Sequence, residues 1–308
     1  MQADPTLTTA WDLLRDPQAP LPTTERGAAW AGGWSLGLPP GISTAQWPLS
    51  PLHGYPMRHA FTLHVPSEYR GQGQEYVAFS LFVDDQFEEL SSSDAVEAFF
   101  AEPLTEQRPA DASLLPFWEH RRARHPMQFD MQDILGTHYA VIWLTQAAFE
   151  GALAEPPQLE GNPLLGDAPR WLHASYVDYL PYDKVRNPGQ EAFEWLPANG
   201  RAAGLDTAFP IRAQRREDDP NVGKPPREWE DECQESGYIP AFSDEGVALN
   251  LERFHAHNHL GGTMIPVQGY PEFGPRYLEF EEDFGGFNFG GGNGQVDLVK
   301  MELDWACG

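Results

Sequence analysis

The sequence predicts an α+β fold of antiparallel β-sheets, with a few flanking helices and long ordered loops. Three observations carry this. Short runs in which apolar and polar residues alternate recur along the chain, the period of a half-buried strand. Glycine and proline number 29 each, which marks many turns. The C-terminal segment from His259 to Gly308 still shows strand-like alternation at Gln295-Val296-Asp297-Leu298-Val299, so core packing is expected to continue to the last residues. With 308 residues and 41% hydrophobic content, the chain reads as one large domain over 1–308, with a charged surface excursion at 212–235.

The elements follow in order. Thr8-Thr9 ahead of Trp11, Leu13 and Leu14, with Pro17 behind, predicts a short helix over 8–15. Residues 20–57 are rich in Gly and Pro and carry Trp30, Trp34 and Trp47. They read as an ordered loop with buried indoles. His59–Val65 and Tyr76–Val83 alternate cleanly and predict an antiparallel pair. A helix is expected from Asp94, with Glu97 closing a capping box and Pro103 ending it. Residues 138–144 predict a buried strand, after which Thr145 caps a helix running to Leu153. Trp171, Tyr176, Tyr179, Leu180, Tyr182 and Trp195 predict packing within 155–240. Gly32-Gly33, Gly54-Tyr55-Pro56 and a strand are echoed by Gly261-Gly262, Gly269-Tyr270-Pro271 and a second strand. This weak repeat allows two related β-rich halves.

Forty-six acids against 20 bases give a net charge of −26. Such a field disfavours nucleic acid and anionic membrane and favours basic protein surfaces, although solubility alone also accounts for it. No apolar run has the length of a membrane span, and the first residues lack signal-peptide features, so a cytoplasmic protein is expected. Cys233 and Cys307 read as free thiols. No cofactor motif is present.

Candidate chemistry is sparse. His255, His257 and His259 alternate, so in a strand they would share a face and could meet one metal ion; structural or solvated histidines are the competing reading. Gly33-Trp34-Ser35-Leu36-Gly37 matches the nucleophile-elbow pattern, but Pro39 and Pro40 forbid the helix that motif needs. Gly290–Asp297 has the composition of a calcium repeat in the wrong register. Arg121-Arg122-Ala123-Arg124 is expected to pair with acids of the chain. Three acidic clusters surround aromatic residues. The first is Glu228, Glu230, Asp231, Glu232 and Glu235 about Trp229. The second is Glu279, Glu281, Glu282 and Asp283 beside Phe280 and Phe284. The third is Asp84, Asp85, Glu88 and Glu89 about Phe87. An aromatic anchor ringed by acids suits a basic protein surface; the competing reading is a solvated face whose aromatic points inward.

His259, Gly261, Gly262, Pro266 and Gln268 form one set of marks at the C-terminus. Phe289, Gly290, Gly292, Gly294, Gln295 and Val296 form a second, and Asp304, Trp305 and Cys307 a third. With Gly32-Gly33 and Trp47-Pro48 these resemble the YwqG-like family of bacterial proteins, over about a third of the chain. The resemblance implies an antiparallel α+β fold, no catalytic residues to carry over, and a place in toxin–immunity systems among other contexts. Together with the charge, it leads to an expected function. The chain reads as a non-catalytic acidic binding module, an immunity protein that neutralises a basic toxin such as a nuclease. Its contacts would come from Glu228, Trp229, Glu230, Asp231 and Glu232, and from Glu279, Phe280, Glu281, Glu282 and Asp283. The alternatives are a metal-dependent enzyme built on His255, His257 and His259, or a housekeeping protein of another kind.

Overall fold

In the computed structural model, residues 3–15, 21–27, 30–84, 90–172 and 205–308 are described. One antiparallel sheet dominates. Its strands are β1 (Ala10–Arg15), β2 (Leu21–Pro22), β3 (Gly33–Leu36), β4 (Arg58–His64), β5 (Tyr76–Val83) and β6 (Gln128–Gln132). They continue as β7 (His138–Thr145), β8 (Thr207–Arg216), β9 (His259–Leu260), β10 (Tyr277–Glu281), β11 (Asn293–Asp297) and β12 (Glu302–Ala306). The order across the sheet is β12-β11-β10-β9-β1-β8-β3-β4-β5-β7-β6, with β2 on β8. The sheet coils until its outer strands approach, a nearly closed barrel. The Trp305 indole N–H spans the remaining gap to Asp133, at 2.6 Å.

The helices are few and short: α1 (Asp94–Ala101), α2 (Leu115–Ala123), α3 (Gln146–Phe149), α4 (Glu230–Ser236) and α5 (Asp244–Ala248). Among the described residues no helix is long and apolar enough to cross a membrane.

The strand order is symmetric about the β1–β8 pair. One flank runs β8-β3-β4-β5-β7 and the other β1-β9-β10-β11-β12. In chain order, β1, β3, β4, β5 and β7 form one unit, and β8 to β12 form a second. The first strands are exchanged between the units: β1 pairs with β9, and β8 with β3. The insertion carrying α1, α2 and β6 belongs to the first unit, and 217–258 belongs to the second.

Alternation places Phe61, Phe79, Trp143, Leu260, Leu278, Phe280 and Val296 inside the barrel. The outer face of the first unit is also covered, by a cluster containing Trp34, Trp47, Phe82, Ile142 and Trp171. Strands buried on both faces read as nearly continuous apolar runs, which is how 138–144 looks in the sequence.

The paired glycines are needed where chains cross closely. Gly33 has φ 103°, and a Cβ there would strike the Thr62 carbonyl. Gly261 and Gly262 have φ 61° and 84°, and a Cβ would strike the Tyr69 hydroxyl or the Asp219 carboxylate respectively.

Several expectations hold. β4 and β5 form the antiparallel pair, and Thr145 caps α3, accepting from Ala148 N–H at 3.3 Å. Others need correction. Residues 8–15 contain β1, not a helix. A six-residue apolar pattern fits either period, and pairing on both sides by β8 and β9 decides it. α1 starts at Asp94, but its cap is Ser93, whose side chain makes no capping bond, so no capping box forms. α3 stops at Phe149, short of Leu153. The charged segment 212–235 is not one excursion. Arg212–Arg216 end β8 in the centre of the sheet, and the rest runs through turns into α4. Trp171 is buried; Tyr176, Tyr179, Leu180, Tyr182 and Trp195 lie outside the described residues.

Candidate functional site

The three histidines part company. His255 closes a 3₁₀ turn, Ala256 takes φ 59°, and only His259 enters β9. His255 is exposed, while His259 is fully buried. His257 Nδ1 lies 3.2 Å from Asp12 Oδ1. Among the described residues, no three His, Cys, Asp or Glu side chains gather so as to hold a metal ion.

His259 belongs to a polar row on the outer face of the second unit. Cross-strand register aligns Asp12, His259, Glu279, Gln295 and Asp304. His259 Nε2 is 3.1 Å from Glu279 Oε1, and its Nδ1 is 2.8 Å from the Gly261 carbonyl. Glu279 also accepts from the Ile265 N–H at 3.1 Å and from Gln295 Nε2 at 3.3 Å. At the end of the row, Arg216 donates to Asp12 Oδ1 at 2.7 Å and to Asp219 at 3.3 Å. The guanidinium lies 4.2 Å from the Phe254 ring centroid. Against its partial burial, the hydrogen bond with His257 and the charge of Arg216 hold the Asp12 carboxyl down at about 2. Asp219 takes the Thr263 N–H and hydroxyl, each at 2.8 Å, locking the covering segment onto the sheet. The row's buried side chains are matched by partners within the chain, as a structural network requires.

This network overturns half of the expected binding surface. Phe280 is fully buried in the barrel interior, and Glu279, Glu281 and Glu282 are buried as well. Glu282 Oε1 accepts from the Phe289 and Gly291 N–H groups, at 2.6 and 2.9 Å, and so fixes the aromatic-glycine loop. Asp283 pairs with Arg15 at 2.8 Å. Phe280 and the Glu279, Glu281 and Glu282 side chains are therefore not presented to a partner. Of the third cluster, Asp84 is buried on Ser50 Oγ at 3.0 Å; Asp85, Phe87, Glu88 and Glu89 lie outside the described residues.

The cluster about Trp229 has the opposite character. Trp229 is 66% exposed, and it alone among the described tryptophans is exposed. Glu228, Glu230, Asp231, Glu232 and Glu235 are exposed around it. Trp229 stands at the N-cap of α4, so Glu230, Asp231 and Glu232 fill the first turn. Carboxylates there also complement the positive end of the helix, a structural use that needs no partner. Gly237, at φ 70°, closes the helix. The anchor therefore projects from a short capped helix joined to a buried segment, with Ser236 and Tyr238 beneath it.

Other motifs are structural. Ser35 is buried in mid-strand, its hydroxyl on the Phe284 carbonyl. Asp297 in β11 accepts from Val299, Lys300 and Gly274 N–H groups at 2.8 to 2.9 Å, closing the β11–β12 turn. Arg122 and Arg124 pair with Glu106 and Asp130, as the acidic balance predicts. The residues missed from the sequence are Arg216, Asp12 and Asp219; only the alternation of charge within β1 and β8 hinted at them.

No protein-family model, curated protein or solved structure matches the chain, so its chemistry rests on its own residues.

Proposed function

We propose that the protein is a non-catalytic binding module that takes a basic protein partner on the face centred on Trp229. The observation that carries this is a solvent-exposed indole ringed by carboxylates, on a chain of net charge −26. An aromatic anchor supplies apolar burial, and the surrounding acids steer a basic partner to it. The concrete form is a cytoplasmic immunity protein that covers the nucleic-acid site of a basic toxin, in keeping with the α+β resemblance drawn from the sequence. The metal-enzyme alternative loses support because His255, His257 and His259 do not share a face.

The test is co-expression with the products of adjacent genes, followed by affinity capture. A basic partner should be captured by the native chain. Trp229→Ala should weaken the complex by about 2 kcal/mol or more, the scale of an interface hot spot. Capture unchanged by Trp229→Ala would remove this face from the interaction, and failure to capture any neighbouring product would remove the immunity role.

A further inference from the structure

A second surface feature lies in the first unit. The insertion between β5 and β7, with residues of α1, α2 and β6, lines a cleft of about 680 Å³. That is within the size range of small-molecule sites. Its walls differ in chemistry. Met57, Phe100 and Leu104 give an apolar side. The other side is built from planar polar groups: Gln128, Asp130 and Gln132 at alternate positions of β6, His138 opposite Gln132 in register, and His120 from α2. Phe129 and Met131 turn the other way into the barrel core, so the strand's period fixes this polar face.

The cleft departs from the rest of the molecule in charge. Its ionised groups are Glu97 and Asp130 against Arg121 and Arg124, which balance. Arg124 pairs with Asp130 at 2.8 Å, and Arg121 is bound to the Phe99 and Glu102 carbonyls at 2.7 and 2.8 Å. His120 is only 9% exposed, and its Nδ1 is 3.1 Å from the Ala45 carbonyl. That bond places the ring proton on Nδ1. Burial lowers the imidazole to about 4, so it is neutral near pH 7.

Its hydrogen-bonding capacity is incompletely used. With Nδ1–H spent on Ala45, the His120 Nε2 lone pair has no partner among the described residues. Gln128 Oε1 is buried without a partner. Buried polar atoms in native proteins are nearly all satisfied, so the unmatched Gln128 oxygen calls for a donor from outside the chain, and His120 Nε2 offers a further acceptor.

We propose that this cleft binds a saccharide. A sugar carries no charge and has hydroxyls that both donate and accept. Its adjacent hydroxyl pairs match planar side chains such as those of Gln128, Asp130, Gln132 and His138. Its C–H face suits the Phe100 and Leu104 wall. A phosphorylated or cationic ligand would meet a cleft with no net charge to receive it.

The experiment is saturation-transfer NMR on the full chain. The probes are glucose, galactose, mannose, N-acetylglucosamine, maltose and cellobiose, each at millimolar concentration, where weak sugar complexes are detected. At least one should receive saturation. Asp130→Ala and Gln132→Ala alter exposed positions on β6, and each should weaken that complex about tenfold with the melting temperature unchanged. His120→Asn is the sharper probe of the open acceptor. His120 also anchors α2 to the loop carrying Ala45, so the two β6 variants carry the test should that protein misfold. Absence of transfer to all six sugars would overturn the proposal. So would transfer that survives both β6 substitutions.

Discussion

The two units place different rows of side chains at matching positions of the sheet. In the first, register aligns Pro210, Trp34, Thr62, Ser80 and Ile142 on the outer face. In the second it aligns Asp12, His259, Glu279, Gln295 and Asp304. The first row is mostly apolar. Its Thr62 and Ser80 hydroxyls, 2.8 Å apart, form a short chain to His59 Nε2 and on through its Nδ1 to the Gly37 carbonyl. The second holds carboxylates and an imidazole under a covering segment that supplies their partners. One backbone plan thus tolerates two ways of covering a face. An apolar cover gains from area and is forgiving of small errors. A polar cover has to match each buried group, so it depends on single residues.

The largest test of this contrast removes part of the second unit. Truncation after Phe289 deletes β11 and β12, with buried Val296, Leu298 and Gln295. It uncovers β10 and leaves Glu279 without Gln295. Trp305 is partly buried and stacks on Phe289 at 5.2 Å. The truncated chain should show no cooperative melt; an unchanged melt would make the segment an appendage.

Next in size are single changes within the rows. Glu279→Ala strips partners from His259, Ile265 and Gln295 at once, and should cost about 3–5 kcal/mol, the scale for breaking a buried pair. Ser80→Ala in the other row should cost only about 1 kcal/mol, a neutral hydrogen bond. Chemical denaturation of both variants measures the difference. Equal costs would mean the polar row has no special hold on the fold.

The first unit has its own sensitivity, to acid. Burial lowers His59 from 6.5 to about 3 and His120 from 6.5 to about 4. The native state binds these protons less readily than the unfolded state. Their stabilisation is therefore complete above pH 6.5 and is lost progressively as pH falls toward the folded values. From pH 6.5 to 5, each should remove roughly 2 kcal/mol, at 1.36 kcal/mol per unit. The denaturant midpoint should fall over that window, and His59→Gln should flatten the slope by about half. A midpoint independent of pH between 7 and 5 would show that neither ring is held neutral.

Local pattern made the first unit legible and left the second partly hidden. β4, β5 and β7 are long, regularly patterned strands, so period and composition identify them. β8 is just as central, but Pro210 and Arg212, Arg215 and Arg216 give it the look of surface chain. Arg216 is buried only because Asp12, 204 residues away, folds against it. Tyr277-Leu278-Glu279-Phe280-Glu281 alternates plainly as a strand. Its side with Glu279 and Glu281 is closed by Ile265 and Asn258, which local pattern cannot bring there. Exposure at Trp229 was equally invisible. The clusters about Trp229 and Phe280 look alike in sequence, and only the fold's long-range packing separates them.

The covering segment carries the second unit's charge outward as well as inward, which sets the smallest expected effect on stability and the finest test of the proposed function. Glu230→Lys, Asp231→Lys and Glu232→Lys together place positive charge on the first turn of α4. Each acid contributes about 0.3–1 kcal/mol there through the helix dipole, so the triple variant should lose about 1–2 kcal/mol and stay folded. Against a basic partner, the same change should slow association about tenfold near 50 mM salt and much less at 500 mM, where charges beyond roughly 4 Å are screened. Dissociation should change little. Trp229→Ala should do the reverse, hastening dissociation while leaving the salt dependence of association in place. The two variants therefore separate steering from anchoring on one face. If the triple variant associates as fast as the native chain at low salt, the acids serve only the end of α4. The outward charge of the second unit would then be as structural as the buried row beneath it.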